Sequence, residues 1–258
     1  MSVHIETVGK GAPLVLLHGW AMHSGLWMPF LPRLIEQFRV HLIDLPGHGH
    51  SGPLAPYTLD AITTAVAAAM DSWPQPLTVL GWSLGGTVAL NWALQAPERI
   101  SRIVLTAATP CFVQRPDWPH AMAQSTLQQF GDELCVSYKA TLQRFVTLQV
   151  QGSEHARAVL VQLREHLFAR GEPSREVLEN ALRMLAATDL RSRVGAVRQP
   201  ALVIAGDRDT LTPPKAAQWL AATLPHASLQ RVPGAAHAPF LSHPEAFTTA
   251  LTNFTDGR

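Results

Sequence analysis

Five short apolar runs recur along the chain: Leu14-Val-Leu-Leu17, Val40-His-Leu-Ile43, Leu77-Thr-Val-Leu80, Ile103-Val-Leu-Thr-Ala107 and Ala201-Leu-Val-Ile-Ala205. They are often β-branched and too short for a buried helix, so each reads as a strand covered on both faces. Between several of them lie stretches of helical composition, Leu59 to Trp73 and Thr87 to Gln95, the latter stopped by Pro97. Such alternation makes an α/β fold: a largely parallel sheet with helices on both faces. With 258 residues, 47% of them hydrophobic, the chain can bury one sizeable core.

The loops that follow these runs hold most of the chemically capable side chains: His18 with Gly19, Asp44 with Gly47, Ser83, Thr109, and Asp207 with Asp209. Ligands of open parallel sheets bind at the carboxyl ends of the strands, where these loops lie. A further short run, Leu229 to Val232, leads into Pro233-Gly-Ala-Ala-His237 and adds one more strand end to the same rim.

Residues from about Cys111 to Asp189 break the alternation. Leu127, Phe130, Leu134, Tyr138, Leu142 and Phe145 recur at steps of three and four, as do Leu178, Leu182 and Leu185, which is the pattern of amphipathic helices. The expected division is an α/β core of residues 1–110 and 190–258 with a helical lid inserted at 111–189, hinged at the proline-rich entry Pro110 to Pro119. A helical packing domain with no part in the site is the alternative.

The strand Leu77 to Leu80 runs into Gly81-Trp-Ser83-Leu-Gly85 and then into a helix-like stretch. A strand–turn–helix elbow presents a nucleophile this way, and the turn is so tight that the residues two before and two after the serine must be small. A serine hydroxyl attacks poorly unless a base takes its proton. Among twelve histidines, His237 is the candidate base, because it comes late in the chain, after a strand, in a Gly/Ala-rich loop. His226 and His243 sit beside prolines and read as surface or capping residues; His18 reads as an organiser of its own loop. The acid should fall between serine and histidine in chain order. Asp209, in Gly206-Asp-Arg-Asp209 after a strand, is preferred to Asp207, which then caps the loop. The backbone amides of Leu84 and Trp20 are candidate donors to an oxyanion. The chemistry so assembled is acyl transfer through an acyl-enzyme, and it calls for no metal and no organic cofactor.

The bulk numbers exclude other classes. A formal net charge of +1 leaves nothing to hold the protein on nucleic acid or on a membrane. No apolar run reaches the roughly 18 residues of a membrane span. The N-terminus lacks a basic start followed by a long apolar stretch, so a cytoplasmic protein is expected. The two cysteines, Cys111 and Cys135, are too few for a disulfide framework and suit a reducing compartment. A monomer is expected.

Leu16-Leu-His-Gly-Trp20, Asp44-Leu-Pro-Gly47, Gly81-Trp-Ser-Leu-Gly-Gly86, Pro110-Cys-Phe112, Asp117-Trp-Pro119, Arg144-Phe145 with Leu148-Gln149, Thr188-Asp-Leu-Arg191, and Ala235-Ala-His-Ala-Pro-Phe240 followed by Ser242-His-Pro244 together resemble the α/β-hydrolase superfamily. Within it, they resemble the family of pimeloyl-[acyl-carrier protein] methyl ester esterases of biotin synthesis. The resemblance runs over nearly the whole chain. It implies an α/β-hydrolase fold, hydrolysis of the methyl ester at the far end of a carrier-borne pimeloyl chain, and a site that includes Trp20, Ser83, Leu84, Phe145, Asp209 and His237. Phe145 and Trp82 would line the acyl channel. Because acyl carrier proteins are acidic, Lys139, Arg144, Arg157 and Arg164 on the lid are candidates for docking, although the glutamates nearby make a solvated mixed-charge face an equal reading. The triad by itself does not separate an ester substrate from an enol-lactone or a carbon–carbon bond, nor a narrow esterase from a broad one. A ligand-sensing protein on the same scaffold is a rival of another class. Serine at position 83 disfavours haloalkane dehalogenation, which uses a carboxylate at the elbow.

Overall fold

The computed structural model describes residues 2–73 and 76–257. Seven strands, β1 (Ile5–Val8), β2 (Ala12–Leu17), β3 (Phe38–Ile43), β4 (Leu77–Trp82), β5 (Ile100–Thr106), β6 (Ala201–Gly206) and β7 (Ala227–Val232), form one sheet. Their order is β1-β3-β2-β4-β5-β6-β7, and every pairing is parallel except that of β1 with β3. The five apolar runs are the five central strands. β4 and β6 are buried at every residue, as expected for strands covered on both faces.

Helices α1 (Leu59–Ala69) and α2 (Leu84–Gln95) pack together, with α2 against β4 and β5, while α7 (Pro214–Thr223) and α9 (Pro244–Thr255) pack on β6 and β7. α3 (Gln124–Val136), α4 (Tyr138–Gln149), α5 (Ala156–Leu167) and α6 (Arg175–Ala187) lie between β5 and β6 in the chain, and the short α8 (Pro239–Ser242) follows β7. Local chemistry sets the helix starts. Thr58 accepts from the Ala61 amide at the head of α1, and Ser174 from the Val177 amide at the head of α6, with Asp60 and Glu176 in the first turns.

Three elements differ from the expectation. β1 was not anticipated: it is a four-residue edge strand, half exposed, whose Ile-Glu-Thr-Val sequence carries little apolar signal. The periodic stretch from Leu127 to Phe145 is two helices, because Ser137 leaves the helical region with φ −136° and ψ 58°. The second expected helix of the core begins at Leu84, three residues early, directly after Ser83.

The helical insertion is held to the core at several places. At its neck Cys111 and Asp189 form a β-bridge, and the Leu190 amide donates to the Pro110 carbonyl at 2.9 Å. Arg191 reaches Asp189 at 2.7 Å and Asp117 at 2.9 Å, and lies over the Trp118 ring. The entry stretch 110–119, expected as a hinge, is therefore tied to the exit. Farther out, Arg170 bridges Asp44 at 3.2 Å and Glu6 at 2.7 Å. Asp44 is fully buried, so removing its partner would leave an uncompensated charge.

Candidate active site

Ser83 follows β4 with φ 56° and ψ −116°. A side chain in this left-handed region is strained, and such strain persists only where the surroundings enforce it. Here they do. A methyl group on Gly81 would collide with the Gly85 backbone, one on Gly85 with the Leu17 carbonyl, and one on Gly86 with the Ala108 side chain. The requirement for small residues on either side of the serine is thus met by contacts that leave no room for a methyl. Among the described residues the non-glycine positions with positive φ are Ala21, Ser83 and Ala107, which follow the ends of β2, β4 and β5. The strained backbone gathers at one rim of the sheet.

Asp209 and His237 come to that rim from the ends of β6 and β7. His237 Nδ1 donates to Asp209 Oδ2 at 2.8 Å, with both groups buried. The carboxylate has further donors: the amides of Leu211 and Thr212 at 2.9 and 3.0 Å to Oδ1, and the Thr212 hydroxyl at 2.7 Å to Oδ2. A carboxylate so supplied can stay ionised without solvent. It also fixes the tautomer of His237, leaving Nε2 free to take a proton. Asp207 accepts from the Gly234 amide at 2.9 Å and so ties the two loops together without touching the histidine. The Ser83 hydroxyl makes no hydrogen bond among the described residues; catalytic bonds to the nucleophile are often open in an unliganded site. The main chain of His237 is held on both sides, its amide donating to Gln149 O at 3.0 Å and its carbonyl accepting from Trp82 Nε1 at 2.7 Å.

The loop after β2 brings Trp20 to the same rim. His18 Nε2 accepts from the Leu45 amide at 2.9 Å, so the ring proton is on Nδ1, which donates to Gly19 O at 2.8 Å. The Met22 amide donates to the same carbonyl at 3.2 Å. Gly19 O and the Trp20 amide belong to one planar trans peptide, so pinning the oxygen turns the N–H the opposite way. Burial, with a smaller part from His48, lowers the His18 pKa to about 3, and the ring is neutral in ordinary buffers. Neither the Trp20 amide nor that of Leu84, at the first position of α2, has an acceptor among the described residues, and the latter lies at the positive end of the helix dipole.

Trp20, Ser83, Leu127, Phe130, Phe145 and Leu182 help to line an apolar slot over the serine. Its free volume is about 10 Å³, room for about one water. Phe145 stands in it edge-on to Trp20 with ring centres 4.7 Å apart, and the Trp20 indole donates to Leu178 O of α6 at 3.1 Å. Trp82 was expected beside Phe145 and is not there. Its ring is 1% exposed, does not line the slot, and packs under the Gly19 backbone, next to His237 and Phe240. A hydrogen bond holds it there: the buried indole N–H donates to the His237 carbonyl.

The four cations considered for docking divide. Lys139 pairs with Glu172 at 2.5 Å and Arg144 with Glu133 at 2.5 Å, Arg144 also lying over the Phe130 ring. Arg157 and Arg164 are exposed on α5, without an ion pair among the described residues, and flank the half-exposed Val161. Sequence reasoning missed Thr212 and gave Gln149 no place at the site beyond its part in the resemblance. Thr212 had a signal, three residues after an aspartate at a loop start, where such side chains bond their neighbours' backbone. Gln149 is 1% exposed, and both polar atoms of its side chain lack a partner among the described residues. Among the described residues no cluster of three or more His, Cys, Asp or Glu is arranged to hold a metal ion, and no helix is long and apolar enough to cross a membrane.

Residues 12–244 match a family described as the alpha/beta hydrolase fold. The chain is 48% identical to a pimeloyl-[acyl-carrier protein] methyl ester esterase of Nitrosomonas europaea over 250 residues, covering 97% of this chain and 98% of that one. It is 44% identical to a protein of the same name from Xanthomonas axonopodis pv. citri over 253 residues, covering 98% of each. Among solved structures it is similar to a bromoperoxidase from Bacillus anthracis, with a TM-score of 0.92 at 24% identity, covering 98% of this chain and 95% of that one, a likeness of fold alone.

Proposed function

The chain belongs to the α/β-hydrolase family and is an esterase, and on that premise we propose that it hydrolyses the methyl ester of pimeloyl-acyl carrier protein, releasing methanol and pimeloyl-acyl carrier protein in biotin synthesis. Identity of 40–48% over nearly the full length to esterases of that name supports the substrate. The single observation that carries the chemistry is the 2.8 Å bond from buried His237 to buried Asp209, at the rim where Ser83 stands in a strained elbow.

In this reading Ser83 attacks the ester carbonyl while His237 Nε2 takes its proton, and the same proton then goes to the departing methoxide. Asp209 stays ionised and stabilises the imidazolium. The amides of Trp20 and Leu84 receive the oxyanion, where each donor is worth about 2.7–4 kcal/mol in comparable sites. Water activated by His237 releases the acid and frees Ser83. Phe145 and Trp20 grip the acyl chain, and residues 111–189 act as a lid over a core of 1–110 and 190–258, opening to admit a substrate larger than the closed slot. All the groups in this scheme come from one chain, so a monomer suffices for it. Two free thiols and a carrier-borne substrate suit a cytoplasmic setting.

For the carrier, the unpaired Arg157 and Arg164 are the stronger pair, since Lys139 and Arg144 must first leave their glutamates. The test is steady-state hydrolysis of pimeloyl methyl ester, free and carrier-bound, by the wild type, Ser83→Ala and Arg157→Glu/Arg164→Glu. We expect no turnover by Ser83→Ala, and for the double variant a loss of tenfold or about 1.4 kcal/mol in kcat/KM confined to carrier-bound ester. Wild-type protein inert on both esters would end the proposal; equal rates for the double variant on carrier-bound ester would remove only the docking surface.

A further inference from the structure

Trp82 is bonded to the nucleophile through the chain and to the base through space. Its backbone is the last residue of β4, next to Ser83, and its indole Nε1 donates to the carbonyl of His237 at 2.7 Å. Its six-membered ring lies 3.1 Å from the place a Cβ on Gly19 would take, so it also sits beneath the loop that presents the Trp20 amide. The ring is packed in: Phe240 lies edge-on to it at 5.3 Å, and Trp27 lies tilted against Phe240 at 4.3 Å.

The distance between Ser83 and His237 needs such a link. The Ser83 hydroxyl makes no hydrogen bond among the described residues, and the Asp209 carboxylate holds the imidazole only at Nδ1. The loop that carries His237 is otherwise held by Gln149 and Glu154 of the insertion and by Asp207 and Arg208 of the loop after β6, none of which belongs to the elbow around Ser83. Among the described residues Trp82 alone joins the elbow to the carbonyl of the base. Misplacing reacting groups by about 1 Å can cost about a hundredfold in rate.

We propose that Trp82 is a positioning residue that sets the reach between Ser83 and His237 through the His237 carbonyl, rather than a wall of the acyl channel. The inference rests on the Ser83–His237–Asp209 reading above. It predicts which property of the side chain matters: the N–H, not its bulk.

The test replaces the indole by its sulfur isostere, with 3-benzothienylalanine incorporated at position 82, and by 5-fluorotryptophan, which keeps the donor. Turnover of p-nitrophenyl acetate and butyrate and thermal unfolding are measured for both. The sulfur isostere should lose at least about tenfold in kcat with KM within about twofold, because a tether acts on the reacting geometry and not on ground-state binding. Its Tm should stay within about 3 °C of wild type, and the fluorinated protein should retain wild-type kcat. Wild-type kcat in the sulfur isostere, an equal loss in the fluorinated protein, or a loss matched by a fall in Tm would each overturn the proposal. If the unaltered protein hydrolyses neither ester, the esterase reading itself has failed, which is a different result from a fast isostere.

Discussion

Asp209 Oδ2 receives two donors at once, His237 Nδ1 at 2.8 Å and the Thr212 hydroxyl at 2.7 Å, in a place solvent does not reach. Asp209→Asn keeps the shape but substitutes an amide, whose N–H₂ turned toward the ring would favour the tautomer with the proton on Nε2. We expect kcat to fall by about 10⁴ while the protein remains folded, as found when this acid is neutralised in other Ser-His-Asp enzymes. Turnover of p-nitrophenyl butyrate within tenfold of wild type would remove Asp209 from the scheme.

The left-handed backbone of Ser83 predicts a stability order opposite to the usual one. Glycine is ordinarily less stabilising than alanine, but at φ 56° alanine retains the strain and glycine relieves it. Ser83→Gly should therefore be more stable than Ser83→Ala by about 1 kcal/mol, or about 2–4 °C in Tm for a chain of this size. Differential scanning calorimetry on the two inactive variants decides it, and the reverse order would mean that the elbow is not strained.

Three of the four buried histidines outside the proposed triad make a prediction about acid. Burial lowers His18 to about 3, His41 to about 4 and His48 to about 4. In the unfolded chain they take up protons near 6.5, so between that pH and their folded values the unfolded state binds more protons. Stability is then full above about pH 6.5 and is lost as pH falls from there toward 4, with a slope of about 1.4 kcal/mol per pH unit for each histidine. Urea unfolding at pH 7.5, 6.5, 5.5 and 4.5 tests it; a flat profile down to pH 5 would contradict the neutral, buried state of these rings.

Arg170 anchors the insertion on a carboxylate with no exposure to water. Arg170→Leu should cost about 3 kcal/mol, because Asp44 is left charged and short of a partner. Adding Asp44→Asn should recover part of that loss, and a double-mutant cycle by urea unfolding measures the coupling. Additive effects would show that the pair contributes nothing as a pair.

Much of this molecule was legible in its sequence because the signals are local. Unbroken apolar runs mark strands with no wet face, and the glycines around Ser83 mark a turn with no room for Cβ. What escaped depends on partners remote in the chain. Lys139 and Arg144 look free until Glu172 and Glu133 are seen to meet them, and Trp82 looks like a channel wall until its N–H is found under the His237 carbonyl. The break at Ser137 was hidden because neither proline nor glycine announces it and the apolar spacing continues across it.

The bond between Leu190 and Pro110 means that the polypeptide leaves and rejoins the sheet at a single doorstep. From the viewpoint of the strands, the excursion of eighty or so residues between them occupies no more length than a tight turn would. Such an appendage can be lengthened, trimmed or exchanged for another without pulling β5 away from β6, so a shared scaffold could acquire new substrates by rebuilding what stands above it while the loops beneath keep their chemistry.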